Sequence, residues 1–402
     1  MYILKNSCSL FLFLLLITCA SCKKDVYQQA PDIYVQDTSF KVVGYLSGGN
    51  FELIDQIQLD KLTHLNLAFA NPDAQGELIF RREEGMEAVV EKAHALGVKV
   101  YVSIAGGGIR EEQKPYWKSV LAPVNRAAFI EKIMAFVEKY NLDGVDVDIE
   151  GNLMPTLGDL YNPFVLELRA ALHSQGKGIT AALPGAYLHE GMGQEALEAY
   201  DFINIMVYDD TGPWRPDKPG PHSTYEFAER SLDFWLEQKK IPAQCLVLGM
   251  PFYGYDFEVI GAKHYRQIVA DNPSDAYLDE IGQLYYNGLP TIVKKTQLAL
   301  EKVNGVMFWE LAQDATNELS LLRAVDQIIK AGDCEEGTVS TYFGDADGDG
   351  FGDLTKPLQA CVPPPGYVAN RQDCDDTNAT IHPEAEELPD ALDNNCNGEI
   401  DE

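Results

Sequence analysis

Between Phe40 and Lys330, eight short apolar runs alternate with amphipathic stretches, and this alternation constrains the fold more than any other feature of the 402-residue chain. The runs are Lys41–Leu46, His64–Phe69, Lys99–Ile104, Gly144–Ile149, Ile179–Leu183, Phe202–Tyr208, Cys245–Met250 and Gly305–Trp309. Between them, Arg126–Tyr140 and Tyr225–Gln238 carry apolar residues at spacings of three and four, the period of a helix with one buried face. Strands alternating with helices predict a parallel sheet covered by helices. Eight such units over roughly 290 residues predict a closed (β/α)8 barrel, expected here over residues 39–332. The rival is an open doubly wound sheet, but no Gly-x-Gly-x-x-Gly turn follows the first strand.

The segments on either side of the barrel read differently. Residues 1–21 run from one basic residue, Lys5, through an apolar stretch to small residues, the order of a secretory signal. At about nine residues that stretch is too short to span a bilayer. Cys19-Ala20-Ser21-Cys22 resembles a bacterial lipobox, which implies that Cys22 carries a lipid and that residues 22–38 form a tether. The expected location is therefore the cell envelope, as an outer-membrane lipoprotein displayed at the surface and held to the membrane by its lipid.

Acidic residues outnumber basic ones 62 to 31, a formal charge of −31 that repels phosphate backbones and argues against a nucleic-acid partner. The excess is concentrated after residue 332, where 18 acidic residues stand against Lys356 and Arg371. This loop-rich tail, residues 333–402, also holds Cys334, Cys361, Cys374 and Cys396, which suggests disulfides and an oxidising compartment; three connectivities remain open. Cys245, in an apolar run, reads as a small buried hydrophobe. Asp345, Asp347, Asp349 and Asp353 place oxygen ligands at intervals around a glycine, as in an EF-hand loop, but Lys356 stands where the bidentate Glu belongs. With Asp373 and Asp375 they are the candidate ligands, and calcium is the cation that such hard donors suit. Residues 373–402 resemble a metal-binding repeat appended to many secreted bacterial proteins.

The most informative stretch is Asp143-Gly-Val-Asp146-Val-Asp148-Ile-Glu150. Side chains alternate across a strand, so Val145, Val147 and Ile149 face the helices while Asp146, Asp148 and Glu150 point into the barrel. Three inward carboxylates repel one another and hold protons among them. That raises the pKa of the outermost, Glu150, and suits it to general acid work near neutral pH.

This stretch resembles the D-x-x-D-x-D-x-E signature of family 18 glycoside hydrolases. Further motifs follow in register: Ser103-Ile-Ala105-Gly106-Gly107, with Ala105 where the first Gly is expected; Met206-Val-Tyr208-Asp209; Gly249-Met-Pro251-Phe-Tyr253-Gly254; and Gly305-Val-Met307-Phe-Trp309. The resemblance implies retaining, substrate-assisted hydrolysis of β-1,4 bonds next to N-acetylglucosamine, without a cofactor and by a monomer. It makes Glu150 the acid, Asp148 the residue that orients the substrate's acetamido group, Asp146 its proton-sharing neighbour and Tyr208 the donor to the acetamido oxygen. It implies that Trp309 floors the site, that Asp143 supports the row, and that Tyr45, Phe69, Met206 and Asp209 contact substrate. Tyr187, Trp214, Phe252, Tyr253 and Tyr255 are further aromatics expected at the rim.

Two departures bear on the substrate. Strand one ends in Ser47-Gly48-Gly49 without the Trp common in polymer-degrading members. The 54 residues from Pro251 to Asn304 look too few for the α+β insertion that walls the groove in processive relatives. An open cleft follows, and chitin oligosaccharides are the expected substrate. The alternatives are an endo-β-N-acetylglucosaminidase acting on N-glycan cores and a non-catalytic chitin-binding lectin.

Overall fold

The computed structural model describes residues 34–186, 191–331, 339–360, 363–364 and 366–401. The expected signal segment, Cys22, most of the tether, Tyr187, Cys334 and Cys361 lie outside the described residues. Among the described residues no helix is long and apolar enough to cross a membrane.

The barrel strands are Lys41–Ser47 (β1), His64–Pro72 (β2), Lys99–Ala105 (β3), Gly144–Asp148 (β4), Gly178–Pro184 (β5), Phe202–Met206 (β6), Leu246–Pro251 (β7) and Gly305–Trp309 (β8). Each pairs in parallel with the next, and β8 pairs back onto β1 from Lys41↔Gly305 to Gly44↔Phe308, closing the barrel. The alternation of side chains sorts the core into two. Val43, Tyr45, Phe202, Met206, Val247 and Met307 fill the barrel's interior. Val145, Val147 and Ile149 join a larger outer cluster with Phe129, Ile130, Ile133, Phe136 and Val137 of the helix Arg126–Lys139. Trp117 and Trp235 are fully buried in that outer layer. Each indole N–H is satisfied, Trp117 by Asn71 Oδ1 at 2.9 Å and Trp235 by the carbonyl oxygens of Pro184 and Gly185.

The elements expected from periodicity are present, with strand ends shifted by at most three residues; the expected helix Tyr225–Gln238 is α-helical to Asp233 and continues as a π turn over Phe234–Gln238. Cys245 differs: it closes a 3-10 turn before β7, is half-buried, and its sulfur accepts from Gln36 Nε2. The segment after β7 corrects the expectation that it is too short for an α+β insertion. It folds into four short antiparallel strands, Tyr253–Asp256, Gly261–His264, Glu280–Ile281 and Leu284–Tyr285, with the helix Tyr265–Asp271 between the second and third. Its length suits a reduced α+β insertion, since two hairpins and two helical turns need only about 35 residues.

After the last barrel helix, Leu321–Ala331, the tail forms a three-stranded antiparallel sheet of Ser340–Gly344, Asp353–Ala360 and Tyr367–Val368. Leu358 and Tyr367 pack against the barrel's outer core. Cys374 is bonded to Cys396. Closing that loop of about 20 residues constrains the unfolded chain by roughly 3 kcal/mol.

Candidate active site

Strand register, more than any single motif, builds the site. Ser103 of β3 and Thr180 of β5 lie level with Asp146 of β4, all three facing inward. Their hydroxyls donate to Asp146 at 2.7 Å each, Tyr45 Oη donates at 2.7 Å, and Asn204 Nδ2 lies at 3.4 Å. Burial raises the pKa of Asp146, and these four donors oppose the rise. With four donors aimed at its two oxygens, Asp146 is the acceptor of the row, which is the ionised role. Asp148 has no such support. Burial pushes its pKa well above the usual carboxylate range, the charges of Glu150 and Asp146 add to that, and its Oδ1 is buried without a partner. Of the two aspartates, Asp148 is the one whose surroundings favour the protonated form, and it keeps an oxygen for a ligand.

Glu150 lies just past the end of β4. Burial first, and the charge of Asp209 second, raise its pKa to about 7. Gly107 makes room for it, because a Cβ there would stand 2.5 Å from Glu150 Oε1. Gly106 does the same for Phe69, whose ring would lie 2.6 Å from an added Cβ. Ala105 adopts φ +80°, in the left-handed region, at the position where a glycine was expected.

Around these carboxylates opens a cleft of about 370 Å³. Trp309 forms its floor, stacked on Phe69 with ring centroids 5.4 Å apart and tilted against Tyr45 at 5.6 Å. Glu310, the next residue, accepts from Ser47 N at 2.9 Å and Asn50 Nδ2 at 2.6 Å and so ties the end of β8 to the exit of β1. Met206 and Tyr208 line the cleft, and Tyr208 Oη lies 3.8 Å from Met307 Sδ. Asp209 receives hydrogen bonds from Tyr253 Oη at 2.5 Å and Tyr255 Oη at 3.0 Å. The insertion thus supplies one wall, through Tyr253, Tyr255 and His264, where an open side was expected.

Sequence reasoning missed what stands behind that wall. His222, fully buried, packs against the Tyr253 and Tyr255 rings with Nδ1 3.4 Å from Asp209 N. Next to it, the carbonyl and hydroxyl oxygens of Ser223 each accept from buried Lys295 Nζ at 2.7 Å, and Asn287 Oδ1 accepts at 2.8 Å. Burial lowers the Lys295 pKa to about 7. The only available signal was a lysine on an otherwise apolar helix face.

Tyr45, Phe69, Asp148, Glu150, Met206, Tyr208, Asp209 and Trp309 are brought together as expected, with Asp146 directly beneath. Two expectations are corrected. Asp143 is no part of the site: it precedes β4 at the opposite end of the barrel, where its Oδ2 meets Val100 N and His94 Nε2, both at 2.8 Å. An odd offset from Asp146 also turns it to the other face. Phe252 is fully buried in the outer core, stacked on Phe308 at 4.7 Å, while Trp214 stays exposed beside Tyr255.

In the tail, oxygens of Asp345, Asp347 and Asp376 lie within 4.8 Å of one another, as do those of Asp347, Asp349 and Asp373. Oδ2 of Asp347, Asp349 and Asp373 is buried without a hydrogen-bond partner, which fits a cation-binding loop. Burial raises Asp345 and Asp347 to about 6. Asp353 and Asp375, expected as ligands, stand outside both groups: Asp353 is held by Thr355 and Lys356, and Asp375 by Thr377. Asp376 joins Asp345 and Asp347 instead because the later loop folds back: its Oδ1 accepts from Ala346 N, while its Oδ2 pairs with Lys356.

A barrel with an inward carboxylate row at the end of β4 and an aromatic floor from β8 is the architecture of a sugar-cleaving enzyme. The model for glycosyl hydrolases family 18 matches residues 41–314, and the chain belongs to that family. A model for a metal-binding motif matches residues 373–402. The chain is similar to the crystal structure of the GH18 chitinase ChiB from the chitin utilization locus of Flavobacterium johnsoniae, at 43 % identity and TM-score 0.70, covering 73 % of this chain and 94 % of that one. It is also similar to a chitinase structure from Bacteroides thetaiotaomicron, at 31 % identity and TM-score 0.66, covering 74 % and 99 %. An endochitinase of Manduca sexta is 34 % identical over 175 residues, 38 % of this chain and 32 % of that protein. The match spans 11 % of another curated relative, the probable chitinase 10 of Drosophila melanogaster.

Proposed function

We propose that the protein hydrolyses β-1,4 bonds next to N-acetylglucosamine by a retaining, substrate-assisted route, with chitin oligosaccharides as substrate. The observation that carries this reading is the pair of carboxyl groups lining the cleft at the end of β4, Glu150 and Asp148, with Asp148 Oδ1 buried without a partner; burial raises the pKa of both. Glu150 gives its proton to the glycosidic oxygen as the C1–O bond breaks. The acetamido carbonyl oxygen of the same sugar attacks C1 and closes an oxazolinium ring. Asp148 Oδ1 accepts from the acetamido N–H, and as positive charge grows on that nitrogen the proton Asp148 shares with Asp146 passes to Asp146, leaving the Asp148 carboxylate to stabilise the ring. Tyr208 orients the attacking oxygen, which converts an encounter into a near-attack geometry. Trp309 offers a flat apolar face to the sugar's C–H face. Water then opens the ring, with Glu150 as base, and the product retains the β configuration.

The test is mass spectrometry of products from chitin hexasaccharide and from a high-mannose glycoprotein. Cleavage of the hexasaccharide supports the reading; release of glycans alone would transfer the chemistry to N-glycan cores. The pH profile gives an independent check. Glu150 must carry its proton in the free enzyme, so kcat/KM holds below about pH 7 and falls about tenfold per unit above it. A profile flat to pH 9 contradicts that role.

In the tail, we assign calcium to Asp345, Asp347, Asp349, Asp373 and Asp376, where it would neutralise clustered carboxylates and fix the loop. At an ion concentration 100-fold above Kd, binding adds about 2.7 kcal/mol to the stability of the tail. A chelator should therefore lower the tail's thermal midpoint and calcium restore it; an unchanged midpoint contradicts the assignment. Export, lipid attachment at Cys22 and display on the outer membrane complete the proposal, which would bring the cleft to oligosaccharides outside the cell.

A further inference from the structure

The cleft does not stop at Phe69. Beyond that ring it continues as a groove of about 770 Å³ along the exits of β1, β2 and β3, bordered by Gly49, Phe69, Arg81, Arg82, Arg110 and Tyr116. The two halves differ in charge. The catalytic half is lined by Asp148, Glu150 and Asp209. In the other half three arginines, out of ten in the whole chain, face a single acid, Asp73.

Arg110 is engaged by Glu112 at 3.2 Å and by Gln113. Arg81 and Arg82 make no ion pair or side-chain hydrogen bond among the described residues, although the protein has twice as many acids as bases. Their position is built into the backbone. A Cβ at Gly48 would lie 2.7 Å from the Arg81 carbonyl oxygen and 2.9 Å from that of Arg82. One at Gly49 would lie 2.8 Å from Arg82 Nη1, so the bare glycines let the Arg82 guanidinium settle over the exit of β1. Arg82 itself adopts φ +64°. A neutral chain of N-acetylglucosamine calls for no such pair of cations. A guanidinium fork, by contrast, matches a carboxylate or sulfate with two parallel hydrogen bonds. The net charge of −31 does not forbid such a ligand, because at physiological salt charges are screened beyond about 8 Å and the local arginines decide.

We propose that this groove binds an acidic substituent, carboxylate or sulfate, on an N-acetylglucosamine-containing chain whose scissile bond lies at Glu150, with Arg81 and Arg82 as its recognition residues. The inference rests on the function proposed above and narrows its substrate class to acidic glycans. The test is calorimetric binding to the full chain carrying Glu150→Gln, using chitin hexasaccharide, the same sugar with a carboxylate at C6, and the same sugar with a 6-O-sulfate. At low salt at least one charged sugar should bind about fivefold to tenfold more tightly than the neutral one, and which of them gains identifies the group. Adding Arg81→Gln and Arg82→Gln, or high salt, should shrink that advantage below about twofold. Should the arginine variant fail to fold, the salt dependence decides by itself. Charged sugars that bind no better than the neutral one, or an advantage that survives the double substitution or high salt, would overturn this inference alone. An intact enzyme that neither binds nor cuts any of the three would overturn the proposed function instead.

Discussion

Glu150→Gln should leave a folded barrel that still binds chitin oligosaccharide and cleaves it about 10²- to 10⁴-fold more slowly. The amide keeps the shape of the side chain beside Gly107, so the loop has no steric reason to move. What it lacks is the proton for the leaving oxygen. It also removes one of the charges that hold Asp148 protonated, so the Asp148 pKa should fall while the thermal midpoint stays near that of the parent. Initial rates and a melting curve on one preparation check both halves. Activity within tenfold of the parent would remove Glu150 from the acid's role.

Asp146→Ala should do the opposite, damaging the fold as well as the chemistry. Tyr45, Ser103, Thr180 and Asn204 are all fully buried and all direct a donor at this carboxylate. Removing the common acceptor orphans them together, at a cost of about 3–5 kcal/mol. The melting temperature should drop by roughly 5–10 °C. Activity falls too, because Tyr45 and Asp148 lose the group that orders them. Asp143→Ala, at the other end of the barrel, should leave kcat unchanged. A parent-like melting temperature for Asp146→Ala would mean that the hydrogen-bonded layer contributes little.

The contrast between these two aspartates shows what could be read from the chain. A period of two, applied outward from Glu150, places Asp148 and Asp146 inside the barrel without any knowledge of their neighbours. The same period excludes Asp143 from the inner face, so grouping it with the row by motif alone wrongly made it a substrate contact. The donors to Asp146 were out of reach, because Ser103, Thr180 and Asn204 come from three other strands and meet it only through the register of the closed sheet. Phe252 failed for a similar reason: one residue past β7 its direction depends on the insertion, which turns it onto Phe308. In the tail, local spacing found Asp345, Asp347 and Asp349, but Asp376 joins them through a long-range fold of the loop that no spacing encodes.

The most direct test of the central claim is the anomeric form of the first product. Proton NMR of chitin hexasaccharide, followed from the moment the enzyme is added, reads the configuration at the newly formed reducing end before mutarotation blurs it. Attack by the substrate's own acetamido oxygen followed by water predicts β first, with α growing in later. If the α anomer appears first, water has displaced the leaving group directly, and the paired roles of Glu150 and Asp148 described here are wrong.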